Sequence, residues 1–185
     1  MTNTFIPAHG GYQQLKSFQM SEIVYDATVK FCERFVNKYS RTTDQMTQAA
    51  RSGRQNIAEG SMASAVSKET EIKLVGVARA SQEELLLDYQ DYLRQHGLKL
   101  WDKDYSSAME VRRLGSLVDR TYTAYTSYFE GSPEVFANAV ICLIHQTNYL
   151  LDQQLRQLEK QFIKEGGLKE KMFKARLNER NKEVK

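Results

Sequence analysis

The chain has 185 residues, of which 41% are hydrophobic and 26% charged, the balance of a folded domain rather than a disordered chain. At this length about 70% of the unfolded surface can be buried, so one domain needing no disulfide or metal staple is expected. The two prolines, Pro7 and Pro133, have 125 residues between them, which argues against a sandwich or barrel built on Gly/Pro turns. The longest fully apolar run, 139–144, falls far short of the ~20 residues that span a bilayer. The N-terminus has no basic start followed by an apolar stretch, so no secretory signal is read there. A cytoplasmic protein without a membrane partner is expected.

Charge is unevenly placed. Residues 160–185 carry nine Lys/Arg against four Asp/Glu, a net +5, while the other 159 residues carry 17 against 19, a net −2. Long-range attraction to phosphate is therefore expected to begin at the tail.

In chain order, 1–16 reads as an irregular lead-in containing Pro7 and Gly10-Gly11. Ser17 is placed to cap a first helix reaching about 38. In it Met20, Val24, Ala27, Phe31 and Phe35 recur every three or four residues and so share one face. Thr42 and Gln45 have capping-box spacing and open a second helix to about 60. Its inward positions are small: Ala49, Ala50, Gly53 and Ala58, beside Ile57. Ser67 heads a third helix, with Glu69 and Glu71 in its first turn, where negative charge suits the dipole. Its apolar line runs through Ile72, Val75, Ala78, Leu85, Leu86, Tyr89 and Leu93 to a stop at Gly97. A fourth helix is expected from 104 or 106 to Gly131, carrying Val111, Leu114, Val118, Tyr122, Tyr125 and Phe129. Ser132-Pro133 then gives a cap followed by proline at the first helical position. The fifth helix runs from there to a break at Gly166-Gly167. The stretch 168–180 suits a short basic amphipathic helix through Leu168, Met172 and Phe173.

No segment alternates long enough to be a strand. The expected fold is all-α: an antiparallel up-down four-helix bundle over 17–131, with an additional long C-terminal helix and basic tail over 132–185.

Reactive constellations are sought without success. No Glu-x-x-His pair, H-E-x-x-H, P-loop or G-x-G-x-x-G is present. Cys142 and His145 make at most a two-ligand pair, whereas structural zinc takes four ligands. Cys32 and Cys142 read as small buried hydrophobes in a reduced cytosol. The acidic run Glu83, Glu84, Asp88 and Asp91 reads as a solvated face or as partners for Arg and Lys across an interface. Tyr122, Tyr125 and Tyr128 read first as packing, then as interface anchors, then as base-stacking platforms. Neither enzyme activity, cofactor nor metal is expected.

The stretch from Ala50 to Ser61 contains Asn56-Ile57-Ala58-Glu59-Gly60, and the third helix contains Ala78-Arg79-Ala80-Ser81 with Glu84-Leu85. These resemble the Asn-Ile-Ala-Glu-Gly signature and the small-x-x-Ser-x-x-Glu-Leu run of a bacterial four-helix-bundle family. That family is encoded in intervening sequences of large-subunit ribosomal RNA genes. Residues 133–185, with Glu165-Gly166-Gly167-Leu168, are similar to the suffix segment of one of its sub-branches. Gly53-Arg54 stand where the family has Ile-Pro. The resemblance implies an antiparallel bundle assembling as a ring, most simply a pentamer. It also implies kinship with the accessory protein of diversity-generating retroelements, which binds nucleic acid and partners a reverse transcriptase.

For the signature, Asn56 and Glu59 either close the bundle through bonds to neighbouring backbone or line a pocket, with Gly60 placed for a left-handed helix end. The candidate contacts to RNA or DNA are Arg51, Arg54, Lys68 and Lys73 around the second loop, and Lys169, Lys171, Lys174, Arg176 and Arg180 in the tail. A protein partner docked by the tail is the alternative.

Overall fold

Helical periodicity carries through to the backbone. A computed structural model describes residues 10–117 and 121–183, and among these every regular element is helical. Helix α1 spans Lys16–Phe35, α2 Arg41–Ala63, α3 Lys68–Gln95, α4 Ser106–Gly115, α5 Thr126–Phe129, α6 Pro133–Glu165 and α7 Leu168–Glu183. Of the expected lead-in, residues 1–9 lie outside the described part; Tyr12–Gln14 form a short 3-10 turn before α1.

Several caps are where the sequence puts them. Ser67 accepts from the Thr70 N–H at 3.1 Å and Ser132 from the Val135 N–H at 3.3 Å. Gly97 and Gly166 take positive φ, +65° and +69°, beyond the ends of α3 and α6. Two expectations are corrected. Ser17 lies inside α1, buried, and its hydroxyl donates to Gln154 Oε1 on α6 at 2.7 Å. The cap of α2 is Ser40, which accepts from the Thr42 N–H at 3.2 Å, rather than Thr42 itself.

The four long helices pack in a closed cycle: α1 against α2 and α6, and α3 against α2 and α6. The apolar stripes meet inside it. Met20, Val24, Ala27 and Phe31 from α1 join Met46, Ala49 and Ala50 from α2, and Leu85, Tyr89 and Leu93 from α3. Small residues on α2 let α3 approach. A methyl group on Gly53 would lie 2.3 Å from Gln82 Nε2, and Gln82 is wholly buried. A second, smaller cluster joins Phe18, Ile57, Val75, Ala78, Leu151 and Leu158.

The expected fourth helix is the main correction. It ends at Gly115, the chain is extended at Thr121, and only a 3-10 turn and the four-residue α5 follow. Val118, part of the expected apolar line, lies outside the described residues. Gln146 on α6 explains the stop. Its amide donates to the Arg112 carbonyl at 2.8 Å, taking up an end-of-helix acceptor. It also lies where a side chain on Gly115 would go, 2.2 Å from an ideal Cβ. The tyrosines therefore do not share one helix. Tyr125 is fully buried, Tyr122 packs on Phe129, and the Tyr128 hydroxyl donates to Glu110 at 2.7 Å.

The helix expected to lie outside the bundle, α6, instead closes the core. Every residue from Phe136 to Ile144 is buried, as befits a helix apolar on all sides and covered on all sides. Asn138 is the polar member of that run. It accepts from the Trp101 N–H at 2.7 Å and donates to the Lys99 and Glu134 carbonyls at 2.8 and 2.9 Å. It thereby fastens the α3–α4 loop to α6.

Candidate nucleic-acid interface

Two turns of chain meet at one end of the molecule. Between α2 and α3, the N–H groups of Val66 and Ser67 both bond back to the Ala63 carbonyl. Between α6 and α7, Gly166 breaks the helix in a conformation that favours glycine. The Gly167 N–H then donates to Glu170 Oε2 at 3.2 Å. This corner lies against the first turn of α3: a Cβ on Gly167 would be 2.7 Å from Glu69 Oε1.

The meeting gathers lysines from three elements. Glu69 is held below the usual carboxylate range chiefly by its own backbone N–H and by Ser67, with Lys169 and Lys73 adding to the effect. Glu165 is held low by its hydrogen bond to Lys171, with further help from Lys68 and Lys164. Lys73 and Lys164 act on these carboxylates along their own helices, while Lys169 reaches Glu69 and Lys68 reaches Glu165 across the corner. Lys68 also pairs with the buried Glu71 at 2.8 Å, and Lys171 with Glu165 at 3.0 Å. Beyond the corner, α7 continues with Lys174, Arg176 and Arg180 exposed. The corner itself also carries Glu69, Glu71, Glu165 and Glu170, two of them paired with Lys68 and Lys171, so beyond it, among the described residues, unpaired positive charge lies along α7 at Lys174, Arg176 and Arg180.

Arg51 and Arg54 stand apart. Both lie on α2, roughly two to three turns before its end, rather than at the loop. Arg51 is exposed. The Arg54 guanidinium sits 4.4 Å over the Tyr25 ring and 3.9 Å from Glu22, so it links α2 to α1. Lys164 acts on Glu165 as its neighbour along α6.

The signature residues take structural positions on α2. Asn56 donates to the Ser52 carbonyl at 2.9 Å and Oγ at 3.1 Å, and Ser52 Oγ lies 2.9 Å from Ser81 Oγ on α3. Ile57 is wholly buried, Ala58 half-buried and Glu59 exposed. Glu59 borders a shallow cleft with Tyr12, Phe18, Arg54 and Met62. Gly60 is not a helix end, since α2 continues to Ala63 and Gly60 keeps a helical backbone. An added Cβ there would meet the Glu71 carbonyl and Leu74 at 3.4 Å each, ordinary contact distance, so the approach of α3 does not require glycine.

Other candidates separate in the structure. Cys142 is buried and His145 exposed, so the two do not converge on one point. Burial pushes the Cys32 thiol up to about 12 and Cys142 to about 11, away from the thiolate that nucleophiles and metal ligands need. Among the described residues, no three His, Cys, Asp or Glu side chains gather to hold a metal, and no helix is long and apolar enough to cross a membrane.

No protein-family profile matches the chain, and no solved structure does. A stretch of 99 residues, 54% of the chain, is 30% identical to the DNA-directed RNA polymerase subunit beta' of Karelsulcia muelleri (strain GWSS). The match spans 6% of that subunit's length.

Proposed function

We propose that the chain is a non-enzymatic, self-associating helical protein that serves as a nucleic-acid-associated accessory factor. In this reading α1, α2, α3 and α6 form an antiparallel up-down four-helix bundle, and copies assemble as a ring, most simply a pentamer, in the cytoplasm. The short α1–α2 and α2–α3 connections support the antiparallel order. The resemblance to proteins of ribosomal RNA intervening sequences supports both the ring and the nucleic acid. The similarity to a piece of an RNA polymerase subunit agrees with the latter.

The observation that carries the reading is the run of exposed cations along α7, Lys169, Lys171, Lys174, Arg176 and Arg180, with Lys68 beside its start. Each phosphate neutralised releases counterions, so affinity falls steeply with salt. With about four phosphate contacts, RNA or DNA binding should weaken about a hundredfold between 50 and 200 mM salt. Replacing Lys169, Lys171 and Lys174 with alanine should lower affinity and flatten that slope. A gel shift that ignores salt, or no shift at all, refutes the reading.

A second reading, a protein-interaction scaffold, is favoured by one observation. Helix α7 exposes Met172, Phe173 and Leu177 alongside its charges, and aromatic and methionine side chains are enriched where proteins meet.

A further inference from the structure

Helix α7 carries apolar and basic side chains that its own chain does not cover. Lys169, Phe173, Arg176 and Arg180 recur at spacings of four, three and four, so they share one face, and all are exposed. Phe173 is 67% exposed. Lys171 and Lys174 fall on the other side of the helix.

A second stripe of opposite charge lies on the outer face of α3. Val77, Ala80, Glu84, Leu87 and Asp91 recur at spacings of three and four over about four turns, and each is exposed. Val77 and Leu87 are 48% and 57% exposed, unusual for aliphatic side chains on a helix already packed on two sides. This is the alternation with which one helix seats another: apolar positions at the seam, here interrupted by Glu84 and by Asp91, which also pairs with Arg94 at 2.8 Å.

The two stripes are complementary in spacing, in apolar content and in sign. Within one chain the two stripes do not meet, since the side chains of both are exposed. We infer that α7 of one copy docks antiparallel on the outer stripe of α3 of a second copy, seating Phe173 beside Leu87 and pairing Lys169 with Asp91 and Arg176 with Glu84. This specifies the self-association proposed above and rests on that part of it. It needs no nucleic acid, and it leaves Lys171 and Lys174 free to face phosphate.

Light scattering on the full-length chain at micromolar concentration, without nucleic acid, tests the contact. The wild type should exceed the monomer mass at low salt. Lys169→Glu/Arg176→Glu should reduce the mass to that of the monomer, and Glu84→Lys/Asp91→Lys should do the same. All four substitutions in one chain should restore the assembly, because each interface then regains opposite charges whatever its symmetry. All positions are exposed, and unchanged circular dichroism would verify that each variant folds. A monomeric wild type overturns both this contact and self-association. An assembly that persists unchanged in both charge-reversed variants, or a fourfold variant that fails to reassemble, overturns the α7–α3 contact alone.

Discussion

Single residues on α2 and α3 show how local conformation and packing divide the work of glycine. Gly60 has a helical backbone, and an added methyl would meet its neighbours at ordinary contact distance. Gly60→Ala should therefore be neutral or stabilise by up to about 1 kcal/mol through helix propensity. Gly97 is the reverse case: nothing lies within 4 Å of its absent Cβ, yet its φ is +65°. Gly97→Ala should cost about 1 kcal/mol from backbone strain alone. Urea denaturation of the two variants side by side checks both signs.

Asp88 gives a pH dependence. Burial raises its carboxyl above the usual range, with the like charges of Glu84 and Asp91 adding to the shift. One of its oxygens is buried without a hydrogen-bond partner. A folded pKa above the unfolded one means that the folded state binds the proton more tightly. The stability this confers is full below the unfolded value and is lost as pH rises through the folded one. Asp88→Asn should thus stabilise the protein near neutral pH and make little difference below about pH 4. An equal gain at both pH values contradicts this account.

At the scale of elements, long amphipathic stretches declare themselves and short ones do not. The ends of α3 and α6 can be read from Ser67, Gly97, Ser132-Pro133 and Gly166 because each supplies a cap or a stop by its own chemistry. The break after α4 cannot be read that way. The periodicity through Val111, Leu114 and Tyr125 continues past it. The helix stops because Gln146, thirty residues downstream, occupies the space beside Gly115 and binds the Arg112 carbonyl. Asn138 is a similar long-range tie. Replacing it with alanine leaves the Trp101 N–H and the Lys99 carbonyl without that partner. The variant should lose about 2–3 kcal/mol of stability, since several hydrogen bonds from one buried side chain go together. Faster hydrogen exchange at Lys99 and Trp101, ahead of the α1 core, should accompany it.

For the whole molecule, stability and recognition reside in different parts. The buried core comes from α1, α2, α3, α4, α5, α6 and the turn before α5, while the side chains of α7 from Lys169 to Lys174 and from Arg176 to Arg180 are exposed. A chain ending at residue 167 should therefore keep a melting temperature within a few degrees of the full chain, since it loses little buried apolar area. It should lose most of its affinity for RNA or DNA along with the tail's positive charge. A large fall in melting temperature argues instead that α7 is part of the fold.

The sequence by itself determined the all-helical class, the inward faces of α1, α2 and α3, and the basic character of the tail. Each of these follows from residue type and spacing along one helix. Tertiary structure alone decided that α6 rather than the stretch after Ser106 closes the core, that Gly60 lies inside α2 rather than at its end, and that Arg54 turns to Tyr25. It also decided that Lys68 lies beside Lys171. The reason is physical: periodicity reports which side of a helix is apolar, but not which distant helix covers it, and those two lysines meet only because that covering brings the α2–α3 turn and the α6–α7 corner to the same end.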